Sequence, residues 1–116
     1  MNVLIYGLHC ESYPKLKDII YKMNEKFKDY SLKIITFGIR YNAFNIQIMK
    51  ICNQFNIKRE HLEYKNEFLV KTNLNILYHR LHTIEYAILI NSDSPTYKAT
   101  INAINRNKIK SYIYEK

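Results

Sequence analysis

The chain has 116 residues, 47% hydrophobic and 14% aromatic, which suits one domain with a continuous core and excludes a disordered chain. Mean hydropathy is −0.34, and no apolar run approaches the roughly 20 residues that a bilayer-spanning helix needs. A net charge of +8 and a pI near 9.5 raise a polyanion as partner. The abundance of Lys, Asn and Ile, with 2 glycines and no tryptophan, is equally what an AT-rich coding sequence would give, and the lysines are scattered along the chain rather than gathered in one block.

Met1-Asn2-Val3-Leu4-Ile5-Tyr6 has neither a charged start nor a small-residue cleavage site, so it reads as a first strand, Asn2 to Gly7, and not as a signal peptide. Ser12-Tyr13-Pro14 opens a helix with Pro14 in its first turn, and Leu16, Ile19, Ile20, Met23 and Phe27 recur at helical spacing. Leu32 to Phe37 is a second strand ending at Gly38. Asn42 is placed to cap a second helix with the stripe Phe44, Ile48, Ile51 and Phe55. A short third strand is expected near His61 to Tyr64. Asn66 then caps a third helix carrying Val70, Leu74, Leu77 and Leu81. Tyr86-Ala87-Ile88-Leu89-Ile90 is the clearest strand. Ser94 and Pro95 form an N-cap and first helical residue for a fourth helix, which carries Tyr97, Ile101 and Ile104 and ends at Asn105-Arg106-Asn107. Ile109 to Tyr114 closes the chain as a fifth strand.

Strict alternation of five strands and four helices predicts a three-layer, Rossmann-like α/β domain over residues 1–116, its mostly parallel five-stranded sheet joined by right-handed crossovers. Ligands of such sheets bind outside the strand carboxyl ends. Both glycines, Gly7 and Gly38, follow strands there. Each either admits a ligand to the backbone or simply ends its strand. His9 and Arg40 lie in the same connections. Arg40 and Arg80 suit a phosphate or a surface ion pair, and Ser94 and Thr96 suit a phosphate, with helix capping as the competing task for Ser94.

Neither a dinucleotide fingerprint nor a P-loop is present. Cys10 and Cys52 have no zinc-ligand spacing and read as free thiols of a reducing compartment, so a cytoplasmic location and no metal or cofactor are expected. His9-Cys10-Glu11 places a thiol beside a base, but adjacent residues rarely align their side chains. His79 and His82, three apart on a helix, could share a face and bind a metal, but with no carboxylate partner evident they read as solvent-facing or helix-capping. Tyr112 and Tyr114 alternate in a strand and read as sheet packing rather than base stacking.

Taken in order, Gly7-Leu8-His9 after the first strand, Thr36-Phe37-Gly38-Ile39-Arg40-Tyr41-Asn42-Ala43 after the second, Arg80-Leu81 before the fourth, and Ser94-Pro95-Thr96-Tyr97-Lys98-Ala99-Thr100 into the last helix resemble the SLOG superfamily. That superfamily of Rossmann-like domains includes the YspA-like family and the cytokinin-activating phosphoribohydrolases. Gly7, Gly38, Arg80, Ser94 and Thr100 match by type. Ala43 stands where the family's loop acid would be, and the glycine-rich phosphoribohydrolase signature is absent. The resemblance implies binding of a nucleotide or related phosphate-containing small molecule without turnover, at Gly7, His9, Gly38, Arg40, Arg80, Ser94 and Thr96. It also implies a homodimer. A different class of reading is a small interaction protein of a phage or other mobile element that binds a host protein or nucleic acid. A third is a surviving nucleotide N-glycosidase or phosphohydrolase.

Overall fold

Val3, Leu4, Ile5 and Tyr6 are each no more than 1% exposed, a burial that a strand reaches only when it is central and covered on both faces. The computed structural model describes residues 1–7, 13–38, 42–63 and 70–115, with backbone alone for 70–73. The expectations for His9, Cys10, Arg40, Tyr64 and Asn66 therefore fall outside the described residues. Strands β1 (Asn2–Tyr6), β2 (Lys33–Gly38), β3 (Lys58–Glu63), β4 (Tyr86–Ile90) and β5 (Lys110–Tyr114) alternate with helices α1 (Leu16–Lys26), α2 (Ala43–Phe55), α3 (Val70–Tyr78) and α4 (Pro95–Arg106).

All four strand pairings are parallel, in the order β3-β2-β1-β4-β5. The chain moves outward from β1 in one direction through β2 and β3, then returns and moves outward in the other through β4 and β5. With right-handed crossovers, this reversal puts α1 and α2 on one face and α3 and α4 on the other. Two cores result. Val3, Ile5, Ile34, Ile88 and Ile90 pack against the apolar stripes of α1 and α2. Leu4, Tyr6, Ile35, Phe37, Ala87 and Leu89 pack with Leu74 and Leu77 of α3 and Tyr97 and Ile104 of α4. The fold is a three-layer, Rossmann-like α/β sandwich.

Local chemistry sets the helix ends. The Asn42 side chain accepts a hydrogen bond from the Phe44 N–H at 2.9 Å, and Ser94 Oγ accepts from the Tyr97 N–H at 3.1 Å with Pro95 at the first position. α2 and α4 end through left-handed residues, Asn56 at φ 57° and Lys108 at φ 55°. The following N–H groups of Ile57 and Ile109 then reach back to the Cys52 and Ile104 carbonyls. Pro14 lies in the turn before α1, two residues ahead of its first helical residue.

β3 begins at Lys58, earlier than its sequence suggests. Its residues Lys-Arg-Glu-His-Leu-Glu carry no apolar run, and only Leu62 is buried. As an edge strand it needs no apolar alternation, and its charges guard it against pairing with another chain.

Gly7 has a packing explanation. A Cβ there would stand 2.5 to 2.7 Å from three ring carbons of Phe44, so the first turn of α2 seats directly on the glycine. Gly7→Ala should cost about 1–3 kcal/mol in urea unfolding, and Phe44→Leu in the same background should recover part of it. A Gly7→Ala protein as stable as the parent would contradict this contact.

Candidate functional site

The reversal at β1 opens the sheet's carboxyl edge between β1 and β4, where ligands of open α/β sheets bind. Gly7 leaves β1 here, and Asn91, Ser92, Asp93 and Ser94 lead from β4 into α4. The Asn91 N–H bonds to the Tyr114 carbonyl at 2.9 Å, and Asn91 Nδ2 donates to Glu115 Oε2 at 2.8 Å. The β4 and β5 ends are thereby joined around an open cavity of about 260 Å³ lined by Asn91, Ser92, Asp93 and Glu115.

Tyr13 ties the chain returning from β1 to the same edge. Its hydroxyl donates to the Glu115 carbonyl at 2.8 Å, while its N–H and carbonyl are both held by the Gln47 carboxamide of α2. Ser92 Oγ accepts from the Ser94 N–H at 3.2 Å. Ser94 in turn occupies the Tyr97 N–H with its hydroxyl and the Lys98 N–H with its carbonyl. Pro95 has no N–H, so Thr96 carries the remaining donor of the first turn of α4, at the positive end of the helix dipole. The Tyr97 hydroxyl is buried with no hydrogen-bond partner among the described residues. Burial, then the nearby Glu115 charge, pushes its pKa upward.

A second polar cluster stands at the β2 and β3 ends. His61 Nε2 lies 2.8 Å from the Gly38 carbonyl, and Nδ1 lies 2.8 Å from Thr36 Oγ1. The carbonyl can only accept, so Nε2 carries the proton in this contact. A hydroxyl beside an imidazole is also the arrangement of a nucleophile and its base. Thr36, however, is fully buried, so no substrate reaches its hydroxyl, and the pair serves to fasten β3 to β2. Gly38 itself has φ 125°, a conformation that L side chains rarely adopt.

Of the residues expected to form the site, Gly7, Ser94 and Thr96 gather at the β1 and β4 ends, and Gly38 ends β2 two strands away from β4. Arg80 does not join them. It lies between α3 and β4, hence at the amino ends of the strands, where its guanidinium donates two hydrogen bonds to the Glu60 carboxylate of β3. Lys33 Nζ meets the same carboxylate at 2.9 Å. The expectation that Arg80 neutralises a ligand at the carboxyl edge is therefore corrected. Sequence reading passed over Glu115, although the residue after the last parallel strand must reach the carboxyl edge. His61 was read only as the start of a strand.

Among the described residues no three metal-ligating side chains cluster, and His79 and His82 are both exposed. Cys52 is a buried free thiol, with burial pushing its pKa up to about 11. No helix of the described residues is long and apolar enough to cross a membrane. No protein-family model, curated protein or solved structure matches this chain.

Hydrogen bonds from Arg80, then Lys33, hold the Glu60 carboxyl down from its ordinary 4.5 to about 2. A depressed carboxyl stabilises the fold above the unfolded value and loses that stabilisation as pH falls through the folded one. The side chains are about a third exposed, so the network contributes on the order of 1 kcal/mol. Glu60→Gln should lose that amount at neutral pH, and the gap to the parent should close between pH 4.5 and 2. Denaturant melts across this range check it; a gap constant with pH would contradict it.

Proposed function

We propose that this chain is a non-catalytic binding domain for a nucleotide or nucleotide derivative, SLOG-like in character, with the ligand at the carboxyl ends of β1, β4 and β5. The observation that carries this reading is the cavity of about 260 Å³ lined by Asn91, Ser92, Asp93 and Glu115, immediately before the amino terminus of α4. Carboxylates and a carboxamide are suited to ribose hydroxyls and to the amino groups of a base. The Thr96 N–H and the α4 dipole favour a phosphate next to them. One ligand class carries both chemistries on a single molecule. Among the described residues, the hydroxyl–imidazole pair of Thr36 and His61 is sealed and the Cys52 thiol is buried, which supports a binding role for the carboxyl edge.

Thermal shifts with a panel of mono-, di- and cyclic nucleotides test the reading. At least one should raise the melting temperature with a logarithmic dependence on its concentration. Asp93→Asn and Glu115→Gln, both exposed and close to isosteric, should weaken that ligand about tenfold, the loss of one charge-assisted hydrogen bond. Arg80→Ala should leave the affinity unchanged, because its guanidinium is at the opposite end of the strands. A panel without any shift would contradict the proposal.

A further inference from the structure

Two helices per face cannot cover five strands. α2 packs on β2 and β3, and α1 lies beside it, so on this face β5 has no helix above it. Its exposed surface is aromatic. Tyr112 is 53% exposed and its ring lies 4.5 Å from that of Tyr114. Aromatic contacts continue from Tyr114 to Tyr13 toward the carboxyl ends. On the floor of the groove, Tyr86 meets Phe27, and Phe27 meets Tyr30 at the amino ends. Between α1 and β5 runs an open groove of about 130 Å³ that holds Lys22, Lys26, Phe27, Tyr86, Tyr112 and Tyr114 and, among the described residues, no carboxylate.

The charge on this groove is positive and available. Lys22 and Lys26 are exposed, and neither is in an ion pair among the described residues. Lys26 Nζ stands 5.3 Å above the centre of the Phe27 ring. Strand alternation puts Lys110 on the same face as Tyr112 and Tyr114. Asp18 and Glu25 of α1 do not line the groove. The cavity at the carboxyl edge has the opposite character, with two carboxylates in its lining.

We propose that the groove between α1 and β5 binds single-stranded nucleic acid, with a base stacked on Tyr112 and backbone phosphates on Lys22, Lys26 and Lys110. An aromatic ring face flanked by cations along an open channel is the chemistry of sequence-tolerant single-strand binding. A folded duplex would have no unstacked base to offer the ring. The site is distinct from the carboxyl-edge cavity and does not depend on what that cavity holds.

The test uses fluorescence anisotropy with a labelled oligothymidylate of about 15 nucleotides, a length matched to single-strand sites. Binding is expected at low salt, with a log–log salt slope of about −2 for three phosphate contacts. Tyr112→Ala should weaken binding about tenfold, whereas Tyr112→Phe should retain it, because the ring and not the hydroxyl stacks. Lys22→Ala with Lys26→Ala should reduce the slope by about 1.4, and Lys50→Ala with Lys98→Ala, on α2 and α4, should not. Circular dichroism melts confirm that each variant folds.

No binding at low salt would overturn the proposal, as would equal losses from the two lysine pairs or equal losses from both Tyr112 variants. Two further results would overturn it by reassigning the surface. Polyglutamate binding with the same Tyr112 dependence would make it an acidic-protein site. Full competition by a mononucleotide, lost in Asp93→Asn, would place the oligonucleotide at the carboxyl edge instead.

Discussion

Everything in this molecule hangs on β1 being central. Its apolar run is buried on both faces, so it needs a strand on each side and a helix layer above and below. β2 and β4 supply the strands, and the crossovers must leave β1 in opposite directions to reach them. That reversal assigns α1 and α2 to one face and α3 and α4 to the other, and it separates the connections at the carboxyl edge. The cavity bounded by Asn91, Asp93 and Glu115 is a consequence of the same geometry. Burial of four side chains in β1 thus fixes both the layers and the place where a ligand has room.

Among the described residues, each sheet face has one edge strand with little helix packed over it. On the α3 and α4 face it is the β3 side, and there the Glu60 carboxylate is bound by Arg80 and Lys33. On the α1 and α2 face it is the β5 side, and there tyrosines replace charge. β3 is protected as an edge by Lys58, Arg59, Glu60 and Glu63, whereas Ser111-Tyr112-Ile113-Tyr114 is an uncharged and largely exposed run. One edge of the sheet is closed by an ion network and the other is left aromatic, with cations on its rim.

How much of this was legible beforehand depended on where the physics is local. β4 is an unbroken apolar run bounded by turn residues, and it was read with its observed ends. The Asn42 and Ser94 caps are likewise local, each one side chain meeting an N–H two or three residues on. β3 was misplaced because an edge strand with charges on both faces has no period to detect. Gly7 was read as possible room for a ligand, but the contact that requires it comes from Phe44, 37 residues later in the chain, and no local pattern carries that. Arg80 was assigned to the wrong end of the sheet, although a residue between a helix and the next parallel strand stands at the amino edge by connectivity alone. Glu115 was accessible to the same logic at the other edge. The fold and its ligand edge were therefore readable, while the side chains that line the edge required the register.

The most direct measurement is an amide chemical-shift titration of the ¹⁵N-labelled protein with the nucleotide that stabilises it most. If the ligand sits where the crossovers diverge, saturable shifts will concentrate at Gly7, at residues 91–97 and at Glu115, and the amides around Arg80 will stay still. Shifts confined to residues 22–30 and 110–114, or no saturable shift at all, would contradict a nucleotide site at the carboxyl edge.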